Sequence, residues 1–480
     1  MDSKKDLIER IEAQGTIFGH PKGLYLLFFT EMWERFSYYG MRGILMLYMT
    51  KLWIENGLNI PSADASLIYG FFTGFVYFTP LFGGLIADRF LGQRLAITIG
   101  GITMFAGQLT LFFLNTHVGL TIGLVLLVIG NGFFKPNIST IVGQLYREGD
   151  SRKDAAFSIF YMGINLGALL APLVIGVLAE DWFAVKGVDA EGKPVVLSYG
   201  FKYGFLVAAI GMGLGQIFFN LLSKKYLLEI GTKPVKKTKE EKAAEKTAKE
   251  NEVVDPLTKK IERQRLWVIG ILTFFVIFFW AGFEQAGSSL TLYTDKYINR
   301  YVGSWEIPTT FFQSFNPILI VALAPVFAWF FTSKLGSKIS TPVKMSLGMM
   351  LLGLGFLFMI MATFEVKTTG SGESEVVQHK AALIWLLLTY FLHTIGELCL
   401  SPVGLSMITK LAPIRLASLM MGVWMLSSFF ANMLGGYIAM YTEVMGAYTI
   451  FLSISVFVIV LGLILLLLSR KLSKMMHGVV

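Results

Sequence analysis

Long stretches of this chain contain no charged residue, among them Ala65 to Ala87, Leu95 to Thr116, Ala155 to Ala179, Tyr203 to Ser223, Met345 to Phe364 and Val444 to Ser469. Each is near or above the roughly 20 residues that an α-helix needs to cross the hydrocarbon core of a bilayer. Strands of a membrane barrel would be short and alternate in polarity, whereas these runs are continuously apolar and rich in glycine, as membrane helices are. Composition agrees, because a chain of 480 residues that is 54% hydrophobic and only 15% charged is too apolar for a water-soluble domain. The formal charge of +9 is no footprint of nucleic acid, since the basic residues sit mostly in short segments between the runs. A single cysteine, Cys399, lies inside an apolar run and excludes an intramolecular disulfide, and five scattered histidines offer no metal-ligand spacing. Neither a metal nor another cofactor is expected. Met1 to Lys22 is polar and mixed in charge, unlike a cleaved signal peptide, so the first span is expected to direct insertion.

Read along the chain, the pattern predicts helices near 23–52, 64–88, 94–115, 118–145, 154–180 and 200–226, then 266–296, 307–333, 342–364, 381–411, 415–441 and 444–470. The expected class is an all-α membrane protein of twelve spans in two pseudo-symmetric six-helix bundles. Residues 1–22 precede the first bundle (23–226), 227–265 form a linker dense in Lys and Glu, the second bundle covers 266–473, and 474–480 form a tail. Arg89 and Arg94, Arg147, Arg152 and Lys153, Lys334, Lys338 and Lys344, and Lys410 and Arg415 fall in alternate loops, which puts those loops and both termini on the cytoplasmic side. The halves echo one another. Gly84, Asp88, Arg89, Gly92 and Arg94 follow the second helix, Lys334, Gly336 and Lys338 follow the eighth, and the fourth helix of each half carries a proline, Pro136 and Pro402.

Ionisable residues deep in apolar spans are costly and face the interior of a bundle or a watery cavity. In the sequence they fall on four helices: Glu31, Glu34, Arg35 and Arg42 on the first, Lys135 on the fourth, Glu284 on the seventh, and His393 and Glu397 on the tenth. These are the first and fourth helices of each half, so a single shared cavity is expected. Glu31, Glu34, Arg35, Tyr38 and Arg42 follow steps of three and four, which places them on one helix face with Tyr39 beside it. Counting Glu31, Glu34, Glu284 and Glu397 against Arg35, Arg42 and Lys135 leaves one negative charge in excess, which one bound proton would balance. The competing reading is that the charges merely pair to hold helices together; for Arg42 with Glu284 a structural bridge and a conformational one are equally open. His393 is read as a polar core residue without a role.

The sequence resembles the proton-dependent oligopeptide transporter family of the major facilitator superfamily over essentially its whole length. Glu31-Met-Trp-Glu34-Arg35-Phe-Ser-Tyr38-Tyr39-Gly40 is similar to the family's E-x-x-E-R-F-x-Y-Y-G pattern, Phe160-Tyr161-Met-Gly-Ile-Asn165-Leu-Gly167 to its F-Y-x-x-I-N-x-G pattern, and Gly396-Glu397-Leu-Cys-Leu-Ser401-Pro402 to its tenth-helix signature. The resemblance implies a proton-coupled importer of di- and tripeptides, a secondary transporter and not an enzyme. It implies that Arg35 and Lys135 hold the peptide carboxylate, that Glu397, helped by Asn165 and Asn316, binds the amino terminus, and that Tyr38, Tyr39, Tyr77, Trp280 and Trp424 line the pocket. Glu31, Glu34, Arg35, Arg42 and Glu284 are implied in proton coupling. For each aromatic taken singly, ordinary helix packing is the competing reading.

The departures narrow the expectation. Mammalian relatives carry a histidine in the second helix, which Tyr69-Gly70-Phe71-Phe72 lacks, so proton handling would rest on carboxylates. The polar linker has no room for the two extra helices of many bacterial relatives, and the short 365–380 loop lacks the large extracellular domain of mammalian ones. A monomer in a bacterial inner membrane is expected, its partners being peptides, protons and lipids. A facilitator for nitrate or a drug is the other transporter reading, against which the intact E-x-x-E-R cluster and the paired cationic and anionic poles argue. A peptide sensor without turnover stays open. No arrangement of nucleophile, base and orienting group suggests an enzyme.

Overall fold

The computed structural model describes residues 4–147, 149–188, 194–234, 256–370, 375–413 and 416–478. Most of the expected linker (235–255), and Arg415 among the basic loop residues, lie outside the described residues. The helices are α1 (Lys4–Glu12), α2 (Lys22–Thr50), α3 (Ser62–Phe78), α4 (Pro80–Ile86), α5 (Gln93–Phe113), α6 (His117–Gln144), α7 (Arg152–Val177), α8 (Phe201–Tyr226), α9 (Pro256–Phe283), α10 (Ser289–Tyr297), α11 (Phe315–Thr332), α12 (Thr341–Glu365), α13 (Leu383–Leu411), α14 (Ala417–Met445) and α15 (Ala447–Met475). Among the described residues, eleven stretches are long and apolar enough to cross a membrane. The helix left out is α2, which at 29 residues has the length but carries Glu31, Glu34, Arg35 and Arg42. All twelve expected spans are present as helices.

Where the structure differs from the sequence reading, the backbone explains why. The second span is two helices, α3 and α4, jointed at Thr79 because Pro80 has no N–H to continue the ladder. The seventh is broken by a 3₁₀ turn, Glu284–Gly287, before α10 resumes. Ten residues expected in the linker are the first turns of α9. The terminal segment is more than polar spacer: α1 buries Ile8 and Ile11 and pairs Glu9 with Arg147 (2.9 Å), Glu12 with Arg152 (2.5 Å) and Arg10 with Glu229 (3.6 Å). Among the described residues there are also four small antiparallel ribbons that hydropathy does not announce: β1 (Thr16–Ile17) with β2 (His20–Pro21), β3 (Val185–Val188) with β4 (Pro194–Ser198), β5 (Tyr301–Val302) with β6 (Trp305–Glu306), and β7 (Lys367–Thr369) with β8 (Val376–His379). They are too short to alter the all-α class.

Packing divides the chain into two compact units, one of Met1–Ile60, Phe75–Lys236 and Thr310–Pro317, the other of Pro61–Gly74, Lys237–Thr309 and Ile318–Val480. In the first, α2 packs on α7 and α8, and α5 on α6 and α8. Helices α5 and α6 cross at glycines, a Cβ on Gly100 falling 2.6 Å from the Gly130 carbonyl oxygen. In the second unit, α12 packs on α13 and α15, and α9 on α14. There the matching crossing is between Gly348 and Gly396, a Cβ on Gly348 again falling 2.6 Å from the partner carbonyl oxygen. With no hydrophobic drive between helices in lipid, such close backbone approach supplies the packing. The register of the repeat is thereby fixed: Gly130 corresponds to Gly396, Asn131 to Glu397, Lys135 to Ser401 and Pro136 to Pro402.

Candidate functional site

In the first unit a cluster of charges is buried in the middle of α2. Glu31, Glu34 and Arg35 are all withdrawn from the surface. Arg35 grips Glu34 as a fork, its Nη2 donating to Oε1 (2.6 Å) and its Nε pairing with Oε2, and the same Nε lies 3.3 Å from Glu31 Oε1. The helical steps of one and four residues make that double engagement possible, because all three side chains leave the same turn. Its guanidinium carbon stands 5.2 Å from the centre of the Tyr38 ring, and Tyr38 meets Tyr39 edge to face at 5.2 Å. Asn131 of α6 completes the surround. With its amide oriented to satisfy both ends, the oxygen accepts from Arg35 Nη2 (3.1 Å) and the nitrogen donates to the Val76 carbonyl (3.1 Å).

One turn further along α6, half-buried Lys135 holds its ammonium 4.6 Å from the centre of the Tyr77 ring, and its charge acts on Glu31, Glu34 and Arg35. The cluster therefore balances two carboxylates against two cations. Glu31 Oε2 is a buried carboxylate oxygen that meets no donor among the described residues. Such an oxygen is costly as an anion and becomes a hydrogen-bond donor on taking a proton.

The other expected residues lie as follows. Arg42 is half-buried on α2, two turns beyond Arg35, and Asn165 is half-buried on α7 with its Nδ2 donating to the Tyr161 carbonyl (3.0 Å). Asn316 is half-buried in the first turn of α11. In the second unit, Glu284 opens the 3₁₀ turn after α9, so it stands where the backbone changes course. Glu397 is half-buried on α13, immediately after the crossing glycine. Trp280 meets Phe279 and Phe283 edge to face, at 5.5 and 5.2 Å, and Trp424 lies over Gly404, where a Cβ would come within 2.2 Å of its ring. The structure thus brings together Glu31, Glu34, Arg35, Tyr38, Tyr39, Tyr77 and Lys135. Asn165, Trp280 and Trp424 have packing or backbone partners of their own kind.

Two residues escaped the sequence reading. Asn131 sits four residues before Lys135, so stepping back one turn on the same face would have found it. Glu180 corrects the statement that buried charge falls on four helices only: it lies at the end of the fifth span and is buried. Its Oε1 accepts from the Thr310 backbone N–H (2.9 Å) and from the Thr310 hydroxyl. It is the last residue of the expected helix 154–180, just past the uncharged run ending at Ala179, where charge is less conspicuous than at mid-span.

Long apolar helices, duplicated with matched crossings and carrying buried opposite charges at mid-span, define a multi-pass membrane transporter. The chain belongs to the POT family, whose profile matches residues 94–240 and 229–457. It is 33% identical over 520 residues to Peptide transporter YePEPT of Yersinia enterocolitica, covering 96% of each chain. It is 32% identical over 524 residues to the Di-/tripeptide transporter of Lactococcus lactis subsp. cremoris, covering 98% of this chain and 99% of the relative. Its fold is similar, with a TM-score of 0.85, 35% identity and 100% coverage of both chains, to a mutant peptide transporter POT crystallised in complex with alafosfalin.

Proposed function

We propose that this protein imports di- and tripeptides with protons, by alternating access of two six-helix repeats, 23–226 and 266–473, joined by the 227–265 linker. The observation that carries the reading is the buried cluster on α2, in which Arg35 is held by two carboxylates and one carboxylate oxygen of Glu31 meets no donor among the described residues. A proton on Glu31 or Glu34 loosens the hold on Arg35. The freed guanidinium then offers its planar fork, beside the point charge of Lys135, to the carboxylate of a peptide. Glu397, with Asn165 and Asn316, takes the ammonium end, so that recognition rests on the two poles of a zwitterion and leaves side chains to the aromatic surfaces of Tyr38, Tyr39, Tyr77, Trp280 and Trp424. Arg42 and Glu284 form a bridge made and broken during gating. The names of relatives that align end to end support the substrate class, and the coupling ion is the proton, with no other cofactor.

The protein is a monomer of a bacterial inner membrane with both termini in the cytoplasm. The bacterial sources of the relatives support the bacterial membrane, and the pairing of α1 with basic residues beyond α6 supports the cytoplasmic amino terminus. Purified protein in liposomes, given labelled dialanine, an inward proton gradient and a negative interior, is expected to accumulate dipeptide, with unlabelled dialanine competing. Tight binding without net uptake would make it a sensor, and accumulation indifferent to dialanine would assign it another solute.

A further inference from the structure

The exposed side of α8 carries a depth gauge. Lys202, Ile210, Leu214, Ile217, Leu221 and Lys224 mark one outward stripe, apolar between its lysines. At 1.5 Å per residue that stripe is about 33 Å long, close to the roughly 30 Å of a bilayer's hydrocarbon core. Lys202 therefore stands at the headgroup level of the leaflet opposite α1, since the other end of α8 leads to Glu229 and its contact with Arg10. Its ammonium lies 5.1 Å from the centre of the Tyr203 ring, and Phe183 stacks on that ring at 4.1 Å. Phe183 and its neighbour Trp182, 73% exposed, thus share this level, and β3 begins two residues later.

The β3–β4 ribbon mixes charge with exposed apolar side chains: Lys186 pairs with Asp181, and the sequence joining the strands carries Asp189, Glu191 and Lys193. Val185, Val188 and Leu197 are exposed, Val188 at 68%. The ribbon is also tied sideways and not left to project: the Tyr199 N–H donates to the Glu55 carbonyl (2.9 Å) and Asn56 Nδ2 to the Tyr199 carbonyl (3.0 Å). That anchors it beside the turn Trp53–Glu55, whose Ile54 is 80% exposed. By the alternation of β3, Val188 lies on the opposite face from Gly187, over which Leu197 packs. The thin ribbon thus exposes apolar side chains on both sides, and aromatic rings with lysines at helix ends are the pattern of a membrane interface.

We propose that the β3–β4 ribbon is a membrane-interface foot: its exposed valines and Leu197 lie among phospholipid in the headgroup layer of the leaflet opposite α1, as a continuation of the lipid-facing side of α8. The occupant is the bilayer itself, argued from continuity with that stripe. The test uses the full chain in vesicles of phosphatidylethanolamine and phosphatidylglycerol, with Cys399→Ala removing the native thiol and nitroxide labels placed at Val188→Cys or Leu197→Cys. Collision with oxygen, which concentrates in lipid, is compared with collision with a water-soluble nickel chelate. Reference labels stand at Ile210→Cys on the stripe and Lys233→Cys in water. At both ribbon positions the ratio of oxygen to nickel collisions is expected to be at least threefold that at 233 and below that at 210. A ratio equal to that at 233 overturns the proposal, leaving the ribbon in water; low collision with both reagents also overturns it, because protein, as in a second copy of the chain, then covers the patch.

Discussion

Arg35 is the residue on which the cluster turns, because it answers two buried carboxylates at once. Truncating it to alanine leaves both acids with Lys135 as a remaining cation, a loss of about 3–5 kcal/mol for a buried pair. Arg35→Lys is the sharper test, since it keeps the charge but cannot form the fork. Proton-driven dipeptide uptake is expected to fall at least tenfold, while the melting temperature of the detergent-solubilised protein drops by far less than in Arg35→Ala. Equal melting temperatures for the two variants would mean that the fork, and not the charge alone, stabilises the cluster. Outside the membrane, Asp150 makes a pH prediction. The N–H, Nε and Nη2 of Arg152 all donate to its carboxylate, at 2.9, 3.1 and 2.7 Å, and those hydrogen bonds hold its pKa down at about 2, against an ordinary value of 3.8. A depressed carboxylate stabilises the fold fully above its unfolded pKa and ceases to do so as pH falls through its folded one. The melting-temperature difference between wild type and Asp150→Asn should therefore be constant above about pH 5 and shrink steadily toward pH 2; a difference that grows on acidification contradicts the pairing. The α2 acids and arginine were legible in the sequence because charge is conspicuous in an apolar helix. Asn131 was not, because a neutral amide in a span looks like any other polar core residue until its partner is seen.

Among the elements, the breaks matter more than the lengths. Twelve spans could be counted from hydropathy alone, because the apolar runs are long and the punctuation between them is charged. The joint at Thr79–Pro80, the 3₁₀ turn at Glu284 and the four ribbons could not, since hydropathy records burial and not backbone course. Thr309–Ser314 is another such turn, and Glu180 supplies the acceptor for the N–H and hydroxyl of its second residue. Seating is completed by the Ser314 hydroxyl donating to the Leu169 carbonyl at 2.8 Å. Glu180→Ala leaves the buried Thr310 N–H unsatisfied and is expected to lower stability by about 1–3 kcal/mol, measured by thermal unfolding. Glu180→Gln, which keeps an acceptor, should recover at least half of that. If alanine and glutamine unfold alike, the carboxylate does not hold this turn.

For the molecule as a whole, the matched crossings at Gly100–Gly130 and Gly348–Gly396 turn a loose echo of sequence into a register. Within that register Asn131 and Glu397 are equivalent positions, as are Lys135 and Ser401, so one repeat presents the cation where the other presents the acid one turn earlier. The duplicated prolines announced the repeat; the crossing glycines were hidden among the 49 in the chain. Transport requires the repeats to act together, and the coupling prediction belongs at this scale. Glu284→Gln is expected to abolish accumulation of dialanine driven by a proton gradient while leaving counterflow exchange measurable in the same liposomes. Intact accumulation removes Glu284 from the coupling role.

The charged middle of α2 bears on how the chain is made as well as on what it carries. A helix with four ionisable side chains is a poor candidate to leave the translocon for lipid by itself, each such group at mid-bilayer opposing insertion by about 2.5–3.5 kcal/mol. Arg35 neutralises its two neighbours within the helix, but Asn131 and Lys135 emerge from the ribosome roughly a hundred residues later, with α6. During biosynthesis α2 therefore lingers at the translocon wall until α6 has emerged, and settles after the spans that immediately follow it.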